Sequence, residues 1–382
     1  MKKILFIIDS LDCGGAEKSL VSLFPLLDYS RMDVSLSVVR RGGVFEEFLP
    51  PQVRLVPFPE PGRCGKVMSD ILFSALLRLN KLLGIKRHGA ELGWFSRRTF
   101  LPSFKEAFDV AVAYQQGFPT YYLVRKVNAT KKIAWINTDM VKAGYRPGFN
   151  RLFYDCLSAV CTVSAALFEK LPRDGFVGKE HLSVILDILN VNLIRNMADA
   201  PLEIQGGEGS IKLLTVGRIV PSKCLPLAVK TAEILSTKGI AFIWTIVGDG
   251  PDKGLVEKLI ERAGLQERVL LTGQQVNPYP YFQHCDIYVQ TSSFEGFGLT
   301  LSEAKVLHKP IVTTNFSSAY NQITDGENGL IAEMTPESVA DKIINIIENP
   351  VLKNRLIENT RNEENRTAKT ESEKVNHLLL ED

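Results

Sequence analysis

Short apolar runs alternate with helix-forming stretches along most of this 382-residue chain, and this alternation limits the fold more than any other feature. The first run, residues 2–8, is continuously apolar, as expected for a parallel strand covered on both faces. Similar runs follow at residues 34–39, 53–58, 110–114, 133–137, 160–164 and 183–189. Strands that alternate with helices predict a doubly wound α/β domain, whose ligands bind at the carboxyl ends of the strands.

The same rhythm restarts after residue 210, with apolar runs at 211–216, 242–247, 269–272, 286–290 and 310–314. Between the two series, residues 198–210 contain Pro201 and three glycines and show no apolar period, which is typical of a linker. The chain is also long for one hydrophobic core. We therefore predict an amino-terminal domain at 1–197, a linker at 198–210 and a carboxyl-terminal domain at 211–350. Residues 351–382 would then form a final helix or a frayed tail.

Composition and charge are those of a globular protein, with 45% hydrophobic and 23% charged residues. The net charge of +2 is unevenly distributed, since residues 1–200 have a net charge of +8 and the remaining residues a net charge of −6. The basic half is therefore expected to bind an anionic partner. The first apolar run ends at Asp9 and predicts a strand rather than a signal peptide. No run reaches the roughly 18 apolar residues that a spanning helix needs. The six scattered cysteines indicate reduced thiols, so we expect a cytoplasmic chain.

One stretch, residues 292–304, places two carboxylates eight positions apart between an apolar run and a helix-forming segment. Gly296 and Gly298 allow the backbone to approach a ligand closely, and the following helix directs its free N–H groups into the turn. Glu295 lies in the turn and Glu303 about two helical turns further on, so they suit opposite ends of an extended ligand. The stretch predicts a phosphate-binding turn, although the glutamates taken alone are also typical of a solvated surface.

The pattern Glu-Gly-Phe-Gly-Leu, with a second glutamate at position 303, resembles the E-x7-E signature of retaining glycosyltransferases of the group 1 (family 4) class. The resemblance implies the GT-B architecture, in which two Rossmann-like α/β domains face each other across a cleft. In that architecture a terminal helix crosses back onto the first domain, and residues 351–378 could form it. It also implies that Glu295 lies beside the donor sugar and that Glu303 binds the donor's ribose. By the same resemblance, the donor's diphosphate contacts the backbone of Gly296, Phe297, Gly298 and Leu299.

Two cations, Arg218 and Lys223, lie in a predicted strand-to-helix loop of the second domain. Cations in such a loop can bind a pyrophosphate and stabilise its charge as it leaves. The Gly-Arg-x4-Lys spacing resembles the diphosphate-binding pair of the same family. The resemblance further implies that the turn at Gly248 lines the donor site and that the backbone near Val276 contacts the nucleotide base.

In the first domain, Gly14 and Gly15 join the first strand to the first helix, either as a phosphate-binding turn or as a tight connection. The sequence Gly-Gly-Ala-Glu resembles the family's amino-terminal glycine loop, which faces the cleft between the domains. Residues 135–139 resemble its Trp-x-His-x-Asp stretch, with Asn137 at the histidine position. Asn137 can form hydrogen bonds but cannot carry a charge, which argues against a proton-dependent role there. Asp139 is a candidate for binding hydroxyl groups or an ordinary turn residue.

The segment from Cys64 to Phe100 departs from the alternation of strands and helices. It combines seven cations with a wide apolar face and with Trp94 and Phe95. A basic amphipathic helix of this kind can lie in a membrane interface, attracted by anionic lipid. The alternative is a core-facing helix with a solvated basic rim, and the sequence leaves both open.

The resemblance implies a retaining glycosyltransferase, with Arg218, Lys223, Glu295 and Asn137 as catalytic residues, and we expect it to be metal-independent. It would move a sugar from a nucleotide-sugar donor to a hydroxyl of a glycan or lipid-linked acceptor. No Asp-x-Asp motif or metal-ligand cluster occurs in the sequence, so no cofactor is expected. No nucleic-acid partner is expected either. Binding of residues 64–100 to an anionic membrane would make the protein peripheral at the inner face. A nucleotide-sugar epimerase of the same fold and a non-catalytic partner subunit are the alternatives, and Asn137 favours the latter.

Overall fold

The computed structural model describes residues 1–12, 14–84, 87–202, 209–362 and 366–381, and the chain divides into two compact units. Unit 1 comprises Met1–Ile188 and Thr367–Asp382, and unit 2 comprises Leu189–Arg366. Each unit contains one parallel sheet with helices between its strands. The prediction of two Rossmann-like α/β domains is therefore confirmed.

The sheet of unit 1 has seven strands in the order β3-β2-β1-β4-β5-β6-β7. The strands are β1 (Lys2–Ser10), β2 (Met32–Arg40), β3 (Arg54–Pro57), β4 (Ala107–Ala113), β5 (Asn128–Ile136), β6 (Ala159–Thr162) and β7 (Leu182–Val184). The helices between them are α1 (Gly15–Leu23), α2 (Arg63–Leu82), α3 (Gly89–Arg97), α4 (Phe118–Lys126), α5 (Pro147–Tyr154) and α6 (Ala165–Arg173). Every residue from Ile4 to Ile8 in the central strand β1 is fully buried, because helices cover both faces of a doubly wound sheet.

The sheet of unit 2 has six strands in the order β10-β9-β8-β11-β12-β13. The strands are β8 (Ile211–Val216), β9 (Phe242–Val247), β10 (Val269–Gly273), β11 (Ile287–Gln290), β12 (Ile311–Thr314) and β13 (Leu330–Ala332). Its helices are α7 (Val191–Ala198), α8 (Leu225–Thr237), α9 (Lys253–Arg262), α10 (Tyr279–His284), α11 (Leu299–Val306), α12 (Pro336–Glu348) and α13 (Pro350–Asn362). The order places β8 and β11 side by side at the switch point of the sheet, where the chain changes its direction of winding.

The boundary between the units differs from the predicted one at residue 197. It falls between Ile188 and Leu189, because α7 packs into unit 2 through Ile194 and Ala198. The side chain of Asn277 also donates a hydrogen bond to the carbonyl of Met197, at 2.7 Å. Within the predicted linker, residues 203–208 lie outside the described part of the chain.

The predicted tail at 351–382 is divided between the units. Helix α13 adds Leu352 and Leu356 to the core of unit 2, whereas the last helix, α14 (Arg366–Leu380), lies almost wholly in unit 1. Within unit 1, the Glu371 carboxylate accepts a hydrogen bond from the backbone N–H of Leu186, and the Asn376 amide donates one to the carbonyl of Leu26. Helix α14 is therefore an integral part of unit 1.

The core-facing alternative for residues 64–100 is wrong for α2, because Ser69 is the single buried residue in that helix. The following helix, α3, does enter the core through Leu92 and Trp94. Among the described residues, no helix is both long and apolar enough to cross a membrane.

Candidate functional site

A lysine–glutamate ion pair lies at the carboxyl ends of two adjacent strands of unit 2. Lys223 ends a short 3-10 helix after β8, and Glu295 lies in the loop between β11 and α11. The Lys223 Nζ and Glu295 Oε1 atoms are 2.5 Å apart, and each side chain retains about a sixth of its exposure, at 17% and 16%. The ion pair is therefore largely buried within the loops and keeps a small exposed fraction.

Polar side chains from the end of strand β11 and from the loop after it hold the Glu295 carboxylate in place. Gln290 Nε2 and Ser292 Oγ donate hydrogen bonds to Glu295 Oε1, at 3.0 and 2.6 Å. The Gln290 amide is itself fixed, since its Oε1 accepts hydrogen bonds from the hydroxyls of Tyr288 and Thr300. These donors and Lys223 all bind Oε1, so the carboxylate is held in one direction.

Gln290 and Ser292 were not predicted to be functional residues. The available signal was a glutamine at the end of an otherwise apolar strand, where it is only 2% exposed. A buried amide needs hydrogen-bond partners, so a glutamine at this position indicates a polar network beyond the strand.

Hydrogen bonds also tie the two loops directly to each other. The backbone N–H of Ser293 donates to the carbonyl of Ser222 at 2.7 Å, and Thr291 Oγ1 donates to the carbonyl of Lys223 at 2.9 Å. The predicted Gly-Arg-x4-Lys segment and the glutamate stretch are thus one structural element.

Glycines form the backbone surface beside Lys223. A Cβ atom on Gly248 would lie 1.9 Å from the carbonyl oxygen of Gly217, and one on Gly250 would lie 2.2 Å from that of Ile219. Such distances are well below van der Waals contact, so the loops after β8 and β9 can pack this closely only because neither glycine has a side chain. Arg218, between these loops, has an exposed side chain.

Helix α11 begins at a left-handed glycine, Gly298, with a φ angle of 91°. Gln322 Nε2 donates to the carbonyls of Phe297 and Gly298, at 2.6 and 3.3 Å, and fixes the turn. No side chain caps the helix, so its first N–H groups, from Leu299 onward, suit an anion. The turn itself begins at Gly296, directly after Glu295.

The second glutamate of the stretch occupies a different environment. Glu303 on α11 is fully buried, and its Oε1 accepts a hydrogen bond from the Tyr279 hydroxyl at 3.0 Å. Val276 lies in the loop after β10 with 48% of its surface exposed. The structure therefore brings Glu295, Lys223 and the glycine turns together, while Glu303 lies beneath them in the core.

The predicted residues of unit 1 lie at the carboxyl edge of its sheet. Gly14 precedes α1, and Gly15 is its first residue. Asn137 follows β5, where its Nδ2 donates to the carbonyl of Tyr114 and its backbone N–H donates to Gln116 Oε1. The Asn137 Oδ1 atom is buried and has no hydrogen-bond partner among the described residues, which is uncommon for a buried polar atom.

Asp139 is engaged in a structural contact. Its Oδ2 lies 2.5 Å from Lys170 Nζ, and its Oδ1 accepts a hydrogen bond from the backbone N–H of Lys142. Because both carboxylate oxygens have protein partners, Asp139 stabilises the loop after β5 rather than offering a free acceptor.

Two buried carboxyl groups of unit 1 have strongly raised pKa values that the sequence did not indicate. Burial raises the pKa of Glu17 on α1 to about 7, and it raises the pKa of Asp187, shortly after β7, to about 7. The Glu17 carboxylate folds back onto the backbone of Gly14, where a Cβ atom would lie 2.1 Å from Oε2. This contact gives Gly14 a structural role beside any ligand role. Within the described residues, no group of three or more His, Cys, Asp or Glu side chains could hold a metal ion.

Residues 203–363 match the family model described as glycosyl transferases group 1. Over 139 residues, the chain is 32% identical to the poly(ribitol-phosphate) alpha-N-acetylglucosaminyltransferase of Staphylococcus aureus (strain COL), covering 36% of this chain and 28% of that one. Over 343 residues it is 23% identical to a Campylobacter jejuni protein, with 88% of each chain covered. That protein is named N-acetylgalactosamine-N,N'-diacetylbacillosaminyl-diphospho-undecaprenol 4-alpha-N-acetylgalactosaminyltransferase. The chain thus spans well under two thirds of the staphylococcal relative.

Two solved structures share the fold over nearly the whole chain. Anabaena HepE in complex with UDP and glucose superposes with a TM-score of 0.72 at 18% identity, and 99% of each chain is covered. A mutant of S. aureus TarM in complex with Fondaparinux, alpha-GlcNAc-glycerol and UDP gives a TM-score of 0.70 at 16% identity, and 100% of each chain is covered. At these identities, the superpositions establish the GT-B fold.

Proposed function

We propose that this chain, whose residues 203–363 belong to the glycosyl transferases group 1 family, transfers a sugar from a nucleotide-sugar donor to a hydroxyl of a glycan or lipid-linked acceptor. The observation that carries the proposal is the Lys223–Glu295 pair, held by Gln290 and Ser292 at the switch point of the unit 2 sheet. In open α/β sheets, ligands bind at this position. The names of the staphylococcal and Campylobacter relatives, both of which describe sugar transfer, support the reaction class.

The donor's diphosphate would bind between the cations and the uncapped start of α11. Arg218 and Lys223 supply positive charge, and the N–H groups of residues 296–299 supply hydrogen-bond donors. In the reaction, the acceptor oxygen forms a bond to the anomeric carbon and gives up its proton to solvent, while the bond from that carbon to the diphosphate oxygen breaks. The electron pair stays on the diphosphate, where the cations and N–H groups stabilise the added negative charge.

The remaining predicted residues would position the donor. Glu295, which Gln290 and Ser292 hold in one direction, would bind the sugar, and Glu303 would bind the ribose after a small rearrangement of α11. The backbone near Val276 would contact the base. In unit 1, Gly14, Gly15 and the free Oδ1 of Asn137 would contact the ligand, and the acceptor would bind mainly to this unit. The linkages named alpha in the relatives support a reaction that retains anomeric configuration.

A uracil base is the first donor class to test, since UDP is named in the HepE and TarM structures. Thermal unfolding in EDTA would be followed with UDP-, GDP-, ADP- and dTDP-sugars. At 100 times the dissociation constant, a donor stabilises the protein by about 2.7 kcal/mol. We expect UDP-sugars to stabilise the wild type and the K230Q variant, which alters an exposed lysine of α8. They should not stabilise the K223Q variant. A gain of the same size in K223Q, or no gain from any donor, would contradict the assigned site.

Transfer is tested separately with E295Q, which keeps the shape of the side chain and removes its charge. Donor stabilisation should persist, while transfer of labelled sugar to a glycan or polyprenyl-diphosphate acceptor should fall by about 100-fold or more. Conversion of the donor sugar without any acceptor would identify an epimerase instead. Donor binding without transfer or conversion in the wild type would identify a non-catalytic subunit.

A lipid-linked acceptor would place the protein at a membrane surface. The Campylobacter relative is named for an undecaprenol-linked substrate and aligns over 88% of the present chain. We therefore propose that the protein associates peripherally with the inner face of the cytoplasmic membrane.

A further inference from the structure

Helix α2 contacts the rest of unit 1 along one narrow face. The residues on that face recur every three or four positions: Gly65, Ser69, Phe73, Leu76 and Asn80. Of these, Ser69 is buried and the others are partly exposed. In a surface helix the apolar residues normally face the core, so a helix that turns a serine inward and most of its leucines outward presents its apolar side to solvent.

A second face of α2 forms an exposed apolar stripe. Met68, Ile71, Leu79 and Leu82 follow helical spacing and retain 57%, 65%, 49% and 83% exposure. Among the described residues, eight of the 17 exposed large hydrophobic side chains lie between positions 67 and 83. Scattered exposed apolar residues need no explanation, but a continuous stripe marks an interaction surface.

Basic residues flank this stripe on the third face of the helix. Arg63, Lys66, Arg78 and Lys81 are all exposed there. The one acidic residue of α2, Asp70, lies 3.8 Å from Arg97 at the end of α3. Helix α2 thus has the apolar stripe and cationic border of a helix that lies in a membrane interface.

A cavity of about 480 Å³ lies at the end of α3, the helix whose Arg97 pairs with Asp70 of α2. It is lined by three cations, four apolar or aromatic side chains and one threonine, with no carboxylate: Arg98, Arg125, Lys126, Trp94, Phe149, Leu152, Phe153 and Thr99. The Arg125 guanidinium stacks over the ring of Phe153, 5.5 Å from its centroid. Cations held against aromatic rings suit a phosphate attached to an apolar group.

The cavity lies away from the candidate site within unit 1. Helix α4 begins after the carboxyl end of β4 and finishes at Lys126, just before β5 begins at Asn128. Arg125 and Lys126 are therefore at the amino edge of the sheet, whereas Asn137 follows the carboxyl end of β5. Within unit 1, the cavity is therefore at the opposite edge of the sheet from Asn137.

We propose that the α2 stripe and the cationic cavity at the end of α3 form a docking surface for an anionic phospholipid bilayer. The apolar stripe enters the interface, the basic border faces the headgroups, and the cavity binds a lipid phosphate. A second copy of this chain fits the surface less well, because a twofold contact would bring the basic borders together. The docking surface does not depend on the sugar-transfer reaction, although it would bring the protein to a lipid-linked acceptor.

The test is co-sedimentation of the full chain with vesicles of phosphatidylcholine alone or with phosphatidylglycerol, at 0.1 M NaCl and without any donor. We expect binding to the anionic vesicles, and a loss of at least tenfold in I71E/L82E. The matched control is L255E, which alters an exposed leucine of α9 in unit 2. Because these side chains are exposed, circular dichroism should show the same fold and thermal midpoint in all variants.

The cavity is tested with R125Q and K126Q. Each cation near an anionic surface contributes about 1 kcal/mol, so each substitution should weaken binding about fivefold. The matched control is K230Q in unit 2, which should bind as the wild type does. Equal binding to both vesicle types, no binding, or normal binding by I71E/L82E would overturn the proposal. A wild-type dimer in light scattering that I71E/L82E abolishes, without vesicle binding, would instead assign the stripe to a second copy.

Discussion

The amide of Gln290 determines which oxygen of Glu295 is available to a ligand. It accepts two hydroxyl hydrogen bonds at Oε1 and donates to Glu295 through Nε2. Turning the amide over would place its carbonyl oxygen against the Glu295 carboxylate, and two acceptors cannot form a hydrogen bond. Together with Ser292 and Lys223, it occupies Glu295 Oε1. The proposed sugar contact would therefore be made by Oε2 from a carboxylate that is already oriented.

The contact between Gly248 and Gly217 predicts a large cost for a single methyl group. G248A would place a Cβ atom 1.9 Å from a backbone carbonyl oxygen, which cannot move away as a flexible side chain can. Overpacking typically costs about 1–3 kcal/mol, so we expect a loss of about 2 kcal/mol or more in the free energy of unfolding, measured by urea denaturation.

The matched control is G254A on α9, where a Cβ atom would meet nothing within 4 Å. Alanine is the better helix former, so this variant should be as stable as the wild type or slightly more stable. Equal stability of the G248A and G254A proteins would show that the loops after β8 and β9 can separate without cost.

The raised pKa of Asp187 predicts that unit 1 loses stability as the pH rises. In the folded state the carboxyl keeps its proton up to about pH 7, whereas in the unfolded state it releases the proton near its ordinary value of 3.8. Between these values the folded state binds more protons, so this group lowers the free energy of unfolding by up to about 1.4 kcal/mol per pH unit. Glu17 acts in the same direction.

D187N removes this titration. Its free energy of unfolding should fall less steeply than that of the wild type between pH 5 and 7, and the advantage of the variant should be largest above pH 7. D33N, which alters an exposed carboxylate of β2, is the control and should keep the wild-type slope. Parallel profiles for D187N and wild type would contradict the burial effect.

Of all the elements, α14 has the sequence that gives the least indication of its structural importance. Its high charge is compatible with a frayed tail, yet Val375 and Leu379 are fully buried in unit 1. Its polar contacts are equally specific, since Glu371 and Asn376 bind backbone groups far away in the sequence. An element of this kind is recognised by its long-range partners, which no local pattern contains.

We predict that L379A destabilises the protein by about 2–5 kcal/mol, the usual range for a buried leucine. The control is T370A, an exposed position on the same helix, which should stay within about 0.5 kcal/mol of the wild type. Urea denaturation followed by circular dichroism measures both. Wild-type stability of L379A would mean that α14 frays from unit 1 in solution.

For the whole molecule, the sequence was sufficient to predict the fold class and most strand positions. Apolar runs such as residues 211–216 and 242–247 coincide with β8 and β9, because a strand covered on both faces must be continuously apolar. The family resemblance assigns both Lys223 and Glu295 to the donor site, but the ion pair between them was not predicted.

Other features could not be predicted because they depend on tertiary contacts. The direction in which the apolar face of α2 points is such a feature, because the same periodicity fits a buried helix and an exposed helix. The raised pKa values of Glu17 and Asp187 are another, because they arise from burial by elements distant in the chain. The assignment of α7 to unit 2 likewise depends on its contacts with α10 and α11 rather than on the composition of the linker.

The place of α14 has a consequence for the protein while it is being synthesised. Residues 189–366 emerge from the ribosome as a continuous segment and can begin to fold as soon as they are free. Unit 1 emerges first, but its core cannot be completed until Leu379 has been translated. The first unit to be made is therefore the last to be finished, and the nascent chain would need protection at the surface that α14 will cover.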